Sequence, residues 1–472
     1  MGSRFAGPIR VGLLTPYFAF FEARFPADFR ASQAAYAGEL AAGLRAAGLE
    51  VTESGLVDGV ASAEAARERF AAAAVDVVVA AATMAAPPTY GTAALAGFDG
   101  PIVMWDDHRA ARYPSDVDEV EATRRSGILG SIMLANLLGR EGRRYLTVST
   151  VEGDAAPVVR AVRGAAAAAS LRGARLGLLG GIVAGYGDVV LDPVTAEALG
   201  IELVEVDRSL VDRALVAARE PADGPLPWPA AVTEEAAPLL ERSRRIERFL
   251  GTLVDEAALD ALALNCHSDV LRFGDELGAV GCLGASVLWA RGVPVACTGD
   301  AATAVALMLA TRIAGSAQYG EAYAVEHETG EMVISSCGMA DPTLCGAGAT
   351  PRLCANELYP GKHGLGIATR FTFDAGPATI AAFGPGTATL PSRLVVSAGR
   401  LTGRGFAHMN GPSGTLTFDE PGPGTATAAL IDAGPSHHLA LVRGDRVAEL
   451  RAAAFFLGMD LREVGGRSGP AG

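Results

Sequence analysis

Short apolar runs alternate with stretches of helical periodicity through the first two-thirds of this chain. No other feature constrains the fold as strongly. Residues 9–15 (IRVGLLT), 75–81 (VDVVVAA) and 101–105 (PIVMW) are nearly unbroken in apolar character. A parallel sheet demands this, because helices cover both of its faces. Residues 50–54 and 145–149 read as further strands, and the Ala- and Leu-rich segments 32–47, 61–74 and 127–140 as the helices between them. Strand and helix alternating at this spacing predict a doubly wound parallel sheet. The pattern then restarts. Residues 174–180 (ARLGLLG), 201–206, 259–265 (LDALALN) and 293–297 (VPVAC) read as strands, and 234–256 and 303–315 as helices.

Beyond about residue 320 the helical period fades. Short runs bounded by Gly, Pro and Thr appear at 322–325, 332–335, 370–373, 394–398 and 415–418, and a strand at 438–442 leads into a helix at 446–457. That texture belongs to an antiparallel sheet or barrel. The expected fold is α/β: two Rossmann-like doubly wound parallel-sheet domains, residues 1–170 and 171–318, then a β-rich, barrel-like C-terminal domain, residues 319–472.

Composition removes several functions. Of 472 residues, 50% are hydrophobic and 19% charged, enough to bury a large core. The formal charge of −14 argues against nucleic acid or an anionic membrane surface as partner, since both need a basic face. Lys362 is the only lysine, so neither a P-loop nor a kinase-type lysine motif can be written, and Schiff-base chemistry has one candidate. The six cysteines form no CxxC pair and no zinc spacing. No apolar run reaches the roughly 18 residues of a membrane span. With no apolar leader after Met1, the expectation is a cytoplasmic protein with reduced thiols.

Ligands of parallel sheets collect beyond the carboxyl ends of the strands. Three such ends carry polar clusters: Asp106-Asp107-His108, Asn265-Cys266-His267-Ser268 and Thr298-Gly299-Asp300. Ser335-Ser336-Cys337-Gly338 and residues 434–438 (GPSHH) add two more. Asp106 and Asp107 fit a helix cap as well as a site, and Cys266 and Cys297 fit the core as well as a reactive role. Gly180, Gly181, Gly185 and Gly187 do not spell a dinucleotide motif. Adjacent strand residues face opposite ways, so at most one of His437 and His438 is expected to enter a shared cleft.

Taken in order, residues 263–266 (ALNC), 294–300 (PVACTGD), 336–338 (SCG) and 434–441 (GPSHHLAL) resemble the L-fucose/L-arabinose isomerase superfamily, over nearly the whole chain. The resemblance implies aldose–ketose isomerisation of a pentose or a 6-deoxyhexose-like substrate through an enediol. It also implies a divalent metal, usually manganese (Mn2+), on the substrate oxygens, with carboxylates passing the proton between C1 and C2. Ionising a carbon acid requires both a stabilised oxyanion and a base within reach. Carried over residue by residue, Thr298 stands where the family has a ligating glutamate and Ser336 where many members have histidine. Glu321 fits the second acidic position, with Glu326 as fallback, and the C-terminal histidine is kept as His437 or His438. The resemblance thus gives Glu321 and His437 as metal ligands, and Asp107, His108, Asn265, Thr298, Ser336 and His438 as substrate contacts. A threonine hydroxyl cannot accept a proton as a carboxylate does, so the metal shell is thinned. A homo-oligomer, trimer to hexamer, is also implied, in which Asp106, Asp107 and His108 reach a neighbour's cleft. Two other readings remain open. One is metal-free chemistry on a small polar metabolite, with Cys297, His267, Asp300 and Glu321 as acid–base groups. The other is a non-catalytic sugar-binding protein.

Overall fold

The computed structural model describes residue 5 and residues 7–346, 348–387, 389–418 and 423–464. The ends of the first and third expected domains, residues 1–4 and 465–472, lie outside the described residues. The chain divides into two compact units: residues 7–169 with 451–456, and residues 170–450 with 457–464.

The first unit holds a parallel sheet of β1 (Arg10–Pro16), β2 (Glu50–Val57), β3 (Val77–Ala80), β4 (Ile102–His108) and β5 (Tyr145–Val151), in the order β2-β1-β3-β4-β5. The apolar runs are continuous because each strand serves two cores. Val77, Val79 and Val103 pack with Leu40, Leu44, Val158 and Val162 of the helices Phe29–Ala46 and Ala156–Leu171. Val78, Ala80 and Ile102 pack on the other face with Ala66, Phe70, Leu134 and Leu138. Each buried Val or Leu contributes roughly 1.5–3 kcal/mol, so one polar residue in β3 would remove a large part of the net stability. The strand read at 101–105 does not stop there. β5 keeps pairing, with Asp106 opposite Ser149, Asp107 opposite Thr150 and His108 opposite Val151. Asp106 and Asp107 are therefore strand residues and cap no helix.

The second unit opens with β6 (Ala174–Leu179) and β7 (Ile201–Glu205), then a two-residue strand, β8 (Ala231–Val232). β9 (Ala261–Leu264) and β10 (Val295–Ala296) complete a parallel sheet in the order β10-β9-β6-β7. The remaining strands are β11 (Gln318–Glu326), β12 (Glu331–Ser335), β13 (Arg352–Ala355), β14 (Ile367–Arg370), β15 (Gly376–Gly384), β16 (Arg393–Leu401), β17 (Ser413–Phe418), β18 (His438–Arg443) and β19 (Asp460–Glu463). Six of them close a barrel, β15-β18-β11-β12-β17-β16, shut by antiparallel pairing of β15 with β16 along nine residues. β19 joins β16 in parallel, and β8, β13 and β14 form a small separate sheet.

Met332, Ile334, Ile380, Leu416, Leu439 and Leu441 share the core inside the barrel. By strand alternation, His438 and Ala440 then stand on its outer wall. The helix Ala301–Ala314 packs on that wall along β15 and β18 and also touches β9 and β10. It is buried almost all round, as its uniformly apolar sequence requires. This helix joins the second parallel sheet to the barrel and so brings their polar residues together. The run at 370–373 proves to be the strand Ile367–Arg370, three residues earlier.

Candidate functional site

The site is built where the carboxyl ends of β9 and β10 meet the outer wall of the barrel. β10 ends at Ala296, and the chain turns through two consecutive left-handed residues, Thr298 (φ 58°) and Gly299 (φ 76°). A Cβ on Gly299 would lie 2.1 Å from the Gly181 carbonyl oxygen, so only glycine fits there. Thr298 has no such freedom, and its conformation is a local strain of the kind that collects at functional sites. The Thr298 hydroxyl donates to the Cys297 carbonyl at 2.7 Å.

This turn delivers Asp300 to the cap of the helix Ala301–Ala314. Oδ1 accepts the Thr303 N–H at 2.6 Å, Oδ2 accepts the Ser436 hydroxyl at 3.1 Å, and the side chain is fully buried. Oδ2 also accepts from Nδ1 of His438 at 2.7 Å. The other ring nitrogen, Nε2, lies 3.6 Å from Oε1 of Glu321. Backbone register makes this line: Glu321 pairs with His438 on one side and with Ser335 on the other. Cross-strand partners of this kind share a face. Tyr319, two residues before Glu321, covers the imidazole with ring centroids 4.6 Å apart. Burial alone would lower the pKa of His438, but hydrogen bonds to Asp300 and Glu321 outweigh it and raise it to about 9. At neutral pH the ring is an imidazolium between a buried carboxylate and a partly exposed one.

Beneath this line lies a cluster of thiols. Cys266 follows β9, Cys297 follows β10, Cys337 follows β12, and Cys282 opens the helix Cys282–Ala290. Cys266 and Cys297 have their sulfurs 3.4 Å apart, and Cys297 and Cys337 3.9 Å. All four are buried. Donation from the Cys297 thiol, helped by His267, holds the Cys266 thiol down at about 7 despite burial. The half-buried His267 ring accepts at Nδ1 from Arg272 at 2.7 Å and meets Tyr359 edge-on.

The remaining candidates divide sharply. Asn265 is spent on the loop: its Nδ2 donates to the Gly180 carbonyl and its Oδ1 accepts the His267 N–H. The buried Ser336 hydroxyl donates to the Met339 carbonyl at 2.6 Å. Both hold backbone in place. Glu326 stands at the far end of β11, paired with Arg404 at the surface. Lys362 is ion-paired with Asp275, also at the surface. The glycine run after β6 opens no long helix. It leads to Asp188, whose carboxylate takes both the N–H and Nδ1 of His437. The two histidines do not face opposite ways: their ring centroids lie 3.7 Å apart. His437 precedes β18, so strand alternation does not govern it, and Asp188 sets its direction instead.

Asp107 and His108 belong to the first unit. Asp107 accepts from Tyr36, Thr150 and the Gly153 N–H, and borders a cavity of about 550 Å3 that Arg109, stacked 3.6 Å over Tyr36, also lines. His108 is exposed, beside Asp106.

The manganese shell implied by the resemblance does not fit these donors. Glu321 and His438 approach one point, but His437 is held by Asp188, Asp300 is held by His438 and Ser436, and Thr298 and Ser336 bond to the backbone. Among the described residues, no group of three or more His, Cys, Asp or Glu side chains is arranged to hold a metal ion. Sequence reasoning missed Asp188 and Tyr319, and named Ser436 only as part of the cluster at 434–438. Tyr319 was reachable by a step of two along β11 from Glu321, whereas nothing local marks Asp188. The chain matches none of the known protein-family models and none of the curated proteins with which it was compared.

Proposed function

We propose that this chain is an enzyme that moves a proton between adjacent carbons of a small polyhydroxylated carbonyl compound, an aldose–ketose isomerisation run without a metal. The observation that carries this reading is the line from buried Asp300 through His438 to Glu321. Glu321 is the base: its carboxylate is partly exposed and takes the proton from the carbon next to the carbonyl. His438 is the acid: its imidazolium donates from Nε2 to the carbonyl oxygen and stabilises the enediolate charge as it forms. Asp300 touches no substrate. It positions the ring and keeps it charged. The resemblance to L-fucose/L-arabinose isomerases supports a pentose or 6-deoxyhexose as substrate, and a homo-oligomer as the working form.

The test is solvent-deuterium incorporation at C1 and C2 across a panel of pentoses and 6-deoxyhexoses, followed by NMR with a chelator present. Exchange into at least one sugar, abolished by Glu321→Gln, is expected. Absence of exchange into every sugar, or exchange that persists in Glu321→Gln, would overturn the reading.

A further inference from the structure

The proton transfer makes no use of the thiols, yet three of them lie in a row at its floor. Cys297 is the middle member, 3.4 Å from Cys266 and 3.9 Å from Cys337. A disulfide needs sulfurs about 2.05 Å apart, so the pair at 3.9 Å must close by nearly 2 Å. The means is at hand. Cys297 leads directly into the left-handed turn at Thr298 and Gly299, and Cys337 precedes Gly338, which has φ 137°. Thr298 is strained there, and the glycines at 299 and 338 carry no Cβ to restrict a shift in their dihedrals.

The members differ in reactivity. Cys337 is 8% exposed, against 2% for Cys266 and 1% for Cys297. Hydrogen bonding with the Cys282 and Cys297 sulfurs holds Cys337 well below the usual thiol range, helped by the imidazoles of His438 and His267. Hydrogen bonds with Cys266 and then Cys337, together with burial, push the Cys297 thiol up. Of two neighbouring sulfurs, one then favours the thiolate that attacks an oxidant, and the other keeps the proton needed to resolve the product.

We propose that Cys337 and Cys297 form a site of reversible oxidation by a hydroperoxide. The Cys337 thiolate attacks one peroxide oxygen, the O–O bond breaks, and the departing hydroxide takes up a proton and leaves as water, giving a Cys337 sulfenic acid. The Cys297 sulfur then attacks that sulfur and expels a second water. In sum, two thiols and one H2O2 give one disulfide and two waters, with the thiols oxidised by two electrons and the peroxide reduced by two. The bridge joins the end of β10, three residues before Asp300, to the end of β12, two residues beyond the register partner of Glu321. It therefore ties the turn that delivers Asp300 to His438 to the strand that pairs with β11 beside Glu321.

The experiment treats the full-length protein with hydrogen peroxide, blocks the remaining thiols, and maps the peptides by mass spectrometry. The expected result is a fall from six free thiols to four, a Cys297–Cys337 crosslink, and full reversal by dithiothreitol. Cys297→Ser should stop the reaction at a Cys337 sulfenic acid that dimedone traps, and Cys337→Ser should abolish the rapid loss of two thiols and the crosslink. Cys345, the more exposed thiol outside the cluster, should react more slowly than Cys337. A Cys266–Cys297 crosslink that forms equally in Cys337→Ser would overturn the assignment. So would oxidation confined to Cys345, or no thiol loss while the protein stays folded. The wild-type peptide map decides the matter even if a variant folds poorly, and none of these readouts depends on the isomerase reading.

Discussion

Oδ2 of Asp300 accepts a hydrogen bond from Nδ1 of His438 at 2.7 Å, although 138 residues separate the two in the chain. Asp300 caps a helix that leaves the second parallel sheet, and His438 opens a barrel strand. The contact is nearly dry, with exposures of 0% and 2%. A carboxylate so buried is tolerable only when opposite charge and several donors meet it, and Thr303, Ser436 and His438 do so together. The pair thus ties the sheet to the barrel and sets the charge of the imidazole.

Asp300→Asn should cost about 3–5 kcal/mol of unfolding free energy, the usual effect of leaving one member of a buried ion pair alone. It should also bring the titration of His438 down from about 9, since the carboxylate that favours the charged ring is gone. Urea denaturation checks the first outcome, and NMR of the imidazole protons checks the second.

The raised pKa of His438 makes stability depend on pH in a defined window. The folded-state value is about 9 and the ordinary value 6.5, so the folded protein binds the proton more tightly than the unfolded chain. The contribution is complete below pH 6.5 and disappears as pH rises through about 9. Its size is on the order of 3 kcal/mol. Denaturation midpoints measured across that window should fall with pH in the wild type and stay flatter in His438→Gln.

Glu321→Gln should leave the fold intact at a cost of about 1 kcal/mol, because the side chain is about a third exposed and Asp300 still pairs with the buried imidazolium. Proton exchange at the sugar carbon should fall by roughly 100- to 10,000-fold, the share commonly carried by one positioned base. Stopped-time NMR of deuterium incorporation gives the rate, and a thermal melt gives the stability.

Gly299→Ala places a methyl group 2.1 Å from the Gly181 carbonyl oxygen at a backbone φ of 76°. The turn must open to admit it, and Asp300 moves with the turn. A loss of about 2–4 kcal/mol is expected, together with a lower His438 titration midpoint. Glycine 315 offers a control, since it has a similar φ of 85° but open space where a Cβ would stand, so its alanine variant should lose less.

Local order was legible in the amino-acid sequence wherever one period dominated. The runs at 75–81 and 259–265 announced strands buried on both faces, and β3 and β9 lie within them. Asp300 and His438 were likewise visible as polar residues at the ends of apolar strands, whereas Glu321 was singled out only by the family resemblance. Strand β15 was not legible, because its Gly- and Ala-rich sequence has little strand preference of its own; nine pairs with β16 and four with β18 impose the conformation. The same limit applied to β4, where Asp106 to His108 are held extended by β5.

The partners of the site were decided by tertiary structure alone. Nothing within ten residues of Asp300 says that it faces His438 and not the substrate, or that Asp188 turns His437 aside. Nor does any local signal say that Cys266, Cys297 and Cys337 share one floor. Periodicity reports which face of an element is apolar, and so fixes where each strand and helix must hide that face. It carries no information on which buried polar groups, far apart in the chain, satisfy one another. That was settled when the helix Ala301–Ala314 packed on the barrel wall, because only there could the Asp300 carboxylate find the imidazole that its burial requires.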